Sequence, residues 1–206
     1  MLTWTKHPKC LIAWSSFLIL VGCASTPPKH LDNICSIFDE KDGWYKDAKA
    51  ASDRWNIPIA TNMAFIYQES RFVPKAKPPR TKILWVFPGP RKSSSYGYSQ
   101  AKDETWDTYR KATGHWGADR DDFDDAIDFI AWYNRTSVER ARVSASSPYH
   151  LYLAYHEGQG GYKRGTYKSK KWLMGVARKV EQRANRYSTQ LAKCEKRLNS
   201  SWWWPF

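Results

Sequence analysis

Pro58-Ile59-Ala60-Thr61-Asn62-Met63-Ala64-Phe65-Ile66-Tyr67-Gln68-Glu69-Ser70-Arg71-Phe72 is the stretch around which the other parts of this 206-residue chain fall into place. Ile59, Met63 and Ile66 recur at the i, i+4, i+7 spacing of a helix with one buried face, and Pro58 suits a first helical turn. Glu69 follows Phe65 by four and Ile66 by three, so its carboxylate falls at the edge of the apolar stripe near the helix end. A carboxyl held there loses part of its water. Desolvation disfavours the charged form and raises the pKa, which is what a general acid working near neutral pH requires. The same spacing also fits a Glu that borders a helix face and points into solvent, so the other motifs have to decide.

The chain opens like an export signal. Lys6 and Lys9 give a positive start, Leu11 to Val21 is apolar apart from Ser15 and Ser16, and the run is short for a membrane span. Leu20-Val21-Gly22-Cys23 resembles the lipobox of bacterial lipoproteins, which implies that Cys23 becomes the lipidated first residue and residues 1–22 a cleaved signal. Ala24 and Ser25 follow with no Asp, which in that family resembles an outer-membrane destination, facing the periplasm. Thr26 to Lys29, with Pro27 and Pro28, reads as a tether inside an N-terminal segment over 23–43.

With Cys10 removed and Cys23 lipidated, Cys35 and Cys194 remain, and in an oxidising compartment two leftover thiols suggest a disulfide. Two buried free thiols are the other reading. Trp172, Val176, Val180, Ala184, Tyr187, Leu191, Cys194 and Leu198 fall on one side of a long C-terminal helix, which turns Cys194 inward. Loss of Lys6 and Lys9 lowers the formal net charge of +13 by two, and twelve Lys and Arg between Tyr162 and Arg197 face only Glu181 and Glu195. Such a surface attracts polyanions. Export argues against nucleic acid and for anionic lipid or the carboxylates of peptidoglycan; a solvated basic helix face is the plain alternative.

Helical patterns dominate after the tether: Trp44 to Trp55, Pro58 to Ser70, Lys102 to Lys111, Asp122 to about Arg142, Pro148 to His156 and Ser169 to about Leu198. Asp121, Asp122, Asp124 and Asp125 cluster where a helix begins and read as partners of its dipole, lacking the glycine and terminal Glu of a calcium loop. No cofactor or metal motif emerges. Between Pro74 and Ser95 five prolines surround Ile83-Leu84-Trp85-Val86-Phe87, which predicts a strand or small hairpin beside the cleft. Trp85 fits core packing better than a stacked sugar. Trp202-Trp203-Trp204-Pro205-Phe206 suits a membrane interface, a fold back onto the core or a partner surface equally well.

Three short motifs occur in order: Glu69-Ser70, then Gly97-Tyr98-Ser99-Gln100, then Ala154-Tyr155-His156-Glu157-Gly158-Gln159-Gly160. Together they resemble the lytic transglycosylase (SLT) domain related to goose-type lysozyme, whose motifs are Glu-Ser, Gly-Leu-Met-Gln and Ala-Tyr-Asn-Ala-Gly-x-Gly. The resemblance implies a mainly α, lysozyme-like single domain over 44–195, with an aromatic tail at 196–206. It implies that Glu69 is the single catalytic acid and base, Ser70 its hydrogen-bonding neighbour at the scissile sugar, and Gln100 a residue of the glycan cleft. Gly97 leaves space for the backbone to approach a sugar, and the Tyr155 hydroxyl holds the catalytic carboxyl in place. Tyr98 stands in the cleft wall where the family has Leu. His156 and Glu157 replace Asn and Ala; His156 matches the amide's ability to donate and accept, and Glu157 raises the question of a second carboxylate.

The activity implied is cleavage of the β-1,4 bond between N-acetylmuramic acid and N-acetylglucosamine in peptidoglycan glycan strands. One carboxyl suffices when the sugar's own C6 hydroxyl is the nucleophile, giving a 1,6-anhydro product. A muramidase using water, aided by Glu157, is the enzymatic rival. A peptidoglycan-binding lipoprotein without turnover is the rival from another class.

Overall fold

The computed structural model describes residues 26–83 and 87–201. The signal segment, Cys23, Trp85 and the tail from Trp202 to Phe206 lie outside the described residues. Among the described residues, seven helices and one hairpin follow in order: α1 (Ile34–Glu40), α2 (Trp44–Trp55), α3 (Ile59–Ser70), β1 (Arg80–Ile83), β2 (Phe87–Arg91), α4 (Asp103–Thr113), α5 (Phe123–Ala141), α6 (Pro148–Arg164) and α7 (Lys171–Ser201). A 3-10 turn, Thr166–Ser169, joins the last two helices. The fold is mainly α, as the helical periodicities predict.

α3 is more deeply placed than its stripe of three apolar residues suggests. Every residue from Ile59 to Ile66 is buried, the polar Thr61 and Asn62 included. A helix covered all round is a central one. α3 packs on α2, α5 and α7, α6 lies against α5 and α7, and α1 is laid on α7. α1 also sends Ile34, Ile37 and Phe38 into the core, so the packed domain starts before residue 44.

Cys35 of α1 and Cys194 of α7 form a disulfide, with 6.1 Å between their Cα atoms. The bridge spans 159 positions of sequence, and in the chain-entropy picture a loop of that size contributes about 5 kcal/mol. Inward placement of Cys194 follows from its turn of α7, where Tyr187, Leu191 and Leu198 are also buried. The same helix corrects one expectation. Trp172 is exposed and its neighbour Leu173 takes the buried position.

β1 and β2 pair antiparallel, with Lys82 opposite Pro88 and Ile83 opposite Phe87. An isolated two-stranded ribbon has only edge strands, and there the missing N–H of Pro88 and Pro90 costs no ladder bond that must be made. α6 also differs from the sequence expectation, for helical hydrogen bonding resumes beyond His156 as far as Arg164. Gly158 breaks the path with φ 72° and ψ 155°, a conformation that glycine adopts at no steric cost. Gly158, two residues beyond the predicted end, marks a kink inside the helix.

Candidate active site

α3 ends abruptly. Arg71 and Phe72 both adopt left-handed φ, at 51° and 61°, which costs about 1 kcal/mol or more for each non-glycine residue. Phe72 offsets that strain by entering the core, where its ring stacks on Trp44 with centroids 5.8 Å apart. The last turn of α3 is thereby pinned, with Ser70 buried and Glu69 partly open.

Tyrosines from α6 cover Glu69. Phe65, one turn earlier on α3, packs edge-on against Tyr152 at 5.3 Å and Tyr155 at 5.4 Å. The Tyr152 phenol, as a hydrogen-bond donor toward Glu69, favours the ionised carboxyl. Burial outweighs that bond and pushes the Glu69 carboxyl up to about 7, well above an ordinary glutamate. Both phenols are raised above their usual range by burial first and by the Glu69 charge second. An acid balanced between protonated and ionised at neutral pH can both give and take a proton.

Tyr155 takes a different role from the one the resemblance implies. Its hydroxyl donates to the Ser99 carbonyl at 2.6 Å, while its ring lies between Phe65 and Tyr133 of α5, the latter at 5.1 Å. It thus ties α6 to the loop of the second motif and walls the carboxyl with apolar surface. Tyr152 is the partner of Glu69 that the sequence reading missed. The signal was present, since residues three apart on a helix share a face and Tyr152 precedes Tyr155 by three.

The second motif is turned largely inward. The Tyr98 side chain, 1 % exposed, sits edge-on to Trp44 and Phe123 in the core, not in a cleft wall. Gly97, at φ 76°, makes room for protein backbone instead of a sugar: a Cβ there would lie 1.9 Å from the Arg120 carbonyl oxygen. Tyr98 N–H donates to that same oxygen at 3.0 Å. Gln100, itself at φ 51°, donates its amide to the carbonyls of Ala76 and Gly97, both at 3.0 Å. Ser70 also faces inward, its hydroxyl donating to Ile66 O at 3.1 Å. The backbone demands of a tight loop and a helix end, invisible in a motif, decide all four placements.

Glu157 sits in a different setting. Its side chain is 4 % exposed and meets Lys170 Nζ at 2.7 Å, His156 Nδ1 at 3.1 Å and the Thr166 hydroxyl. Burial opposes ionisation here too. Hydrogen bonds from Lys170, Thr166 and His156 together overcome it and hold the carboxyl down at about 2. Among the described residues no cluster of three or more His, Cys, Asp or Glu is gathered as a metal ion would need.

Residues 11–194 match the family model described as the transglycosylase SLT domain. No curated protein and no solved structure matches the chain.

Proposed function

Because the chain belongs to the transglycosylase SLT domain family, we propose that it is a peptidoglycan lytic transglycosylase in which Glu69 alone serves as acid and then base. The observation that carries this reading is the Glu69 carboxyl, walled by Phe65, Tyr152 and Tyr155 and raised to about 7. Its neutral form delivers a proton to the bridging oxygen as the bond from C1 of N-acetylmuramic acid breaks and an oxocarbenium-like sugar develops. The carboxylate left behind takes the proton of the sugar's C6 hydroxyl, and the O6–C1 bond closes. One glycosidic bond breaks, one internal ether forms, and no water is consumed. The products are a 1,6-anhydro end and a free 4-hydroxyl.

A water-using muramidase would call on Glu157 as its second carboxylate. A base at about 2, already accepting from Lys170, Thr166 and His156, is a poor acceptor for a water proton near neutral pH. The single-carboxyl route therefore has the better support. With Cys23 lipidated, the protein would be held at the outer membrane and meet glycan strands from the periplasmic side, its basic α7 facing stem-peptide carboxylates.

Digestion of purified sacculi followed by mass spectrometry tests the proposal. Anhydro-muropeptides from the wild-type protein and none from Glu69→Gln are expected. Reducing ends alone would establish hydrolysis instead, and a wild type no better than Glu69→Gln would leave a binding protein.

A further inference from the structure

Trp172 is 60 % exposed at the start of α7. A single exposed indole is ordinary on a protein surface, but this one is held in place by neighbours that continue the third motif. Its ring meets the half-exposed His156 edge-on, with centroids 5.2 Å apart and planes at 78°. His156 is in turn fixed through Nδ1 by Glu157. Glu157 also grips Lys170 and Thr166, so one buried carboxylate clamps the 3-10 turn and Lys170, the residue just before α7, onto α6. His156 adjoins Tyr155, whose ring packs on Phe65 one turn before Glu69. Lys171, beside the indole, is exposed.

We propose that Trp172 and His156 form a saccharide subsite flanking the cleavage position, with Glu157 as the residue that positions both. A pyranose presents an apolar C–H face and a rim of hydroxyls. A flat indole beside an imidazole that can donate or accept matches the two together. Lys171 adds a cation for the carboxylates that decorate a glycan strand. The identity of the sugar as an N-acetylated β-1,4 glycan rests on the proposed cleavage activity; the platform itself rests on the geometry.

The test is a calorimetric titration of soluble, peptide-free glycan strands into the full mature chain carrying Glu69→Gln, so that nothing is cut. Adding Trp172→Ala should weaken binding roughly tenfold, and Trp172→Tyr should recover it to within about threefold. Thermal melts should stay unchanged, since the indole is largely in water. In the active protein Trp172→Ala should raise KM by a similar factor with kcat altered less than about twofold. Affinity within twofold of the parent in Trp172→Ala, a tyrosine variant as weak as alanine, or no binding by the parent would each overturn the subsite. The cleavage reading is judged separately by anhydro ends from the wild-type protein, whichever way the titration falls.

Discussion

Glu69 and Glu157 are both largely withdrawn from water, yet their proton affinities are driven in opposite directions, up to about 7 and down to about 2. Burial penalises the charge in both places. The difference lies in what replaces the lost water. Around Glu69 the walls are aromatic rings, and one neutral phenol, from Tyr152, is the donor that lowers its pKa. Around Glu157 stand an ammonium, a hydroxyl and an imidazole. Partial desolvation with one weak donor leaves a carboxyl free to exchange its proton, whereas saturation with donors and a cation converts it into a fixed structural anion.

The widest separation should appear in turnover. Glu69→Gln is expected to lower the rate of anhydro-muropeptide release by roughly a thousandfold or more, against a loss of less than about tenfold for Glu157→Gln, both read by chromatography of digested sacculi. Equal losses would erase the distinction between the two acids.

Stability should divide them next. Lys170→Met removes the cation beside Glu157 and should cost about 1–3 kcal/mol in urea unfolding at neutral pH, discounted because the lysine is itself 40 % exposed. Dependence on pH should then run in opposite senses. The raised pKa of Glu69 means that the folded state binds its proton more tightly than the unfolded chain. Stability from this group is therefore full below the ordinary glutamate range and lost as pH climbs towards 7. Glu69→Gln should accordingly be more stable than wild type at pH 8 by roughly 1–3 kcal/mol, with the gap vanishing at pH 4. Glu157 is the reverse case, stabilising above its unfolded pKa and losing that contribution as pH falls towards 2. A Glu157→Gln protein should therefore lack part of the acid-induced decline seen in wild type between about pH 4.5 and 2.

The smallest effect concerns the phenol. Tyr152→Phe removes the one bond that lowers the Glu69 pKa, so the alkaline limb of the pH–rate profile should move upward, by about half a unit, and kcat should fall by severalfold. A limb that stays in place would mean that Tyr152 leaves the proton affinity of Glu69 untouched.

The helical class, the placement of the hairpin, the acid at the end of α3 and the inward turn of Cys194 were all legible in the chain alone, because periodicity, proline and local spacing act over a few residues. The motif order was enough to indicate the family. Misplaced expectations share one cause. Tyr98 as cleft wall, Gly97 as room for a sugar, and Trp172 as core each depend on which remote segment comes to lie alongside: Trp44 and Phe123, the Arg120 carbonyl, and His156 respectively.

What the sequence by itself determined, then, is where helices run and which family the chain belongs to, since those follow from hydrogen bonds and residue types close together along the backbone. Only the tertiary structure decided that Tyr152 is the donor toward Glu69 while Tyr155 serves Ser99, and that Glu157 is surrounded by Lys170, Thr166 and His156. The physical reason is that a carboxyl's proton affinity is set by the donors and the low-dielectric surface surrounding it, and α3, α6 and the turn before α7 supply these from positions far apart in the chain.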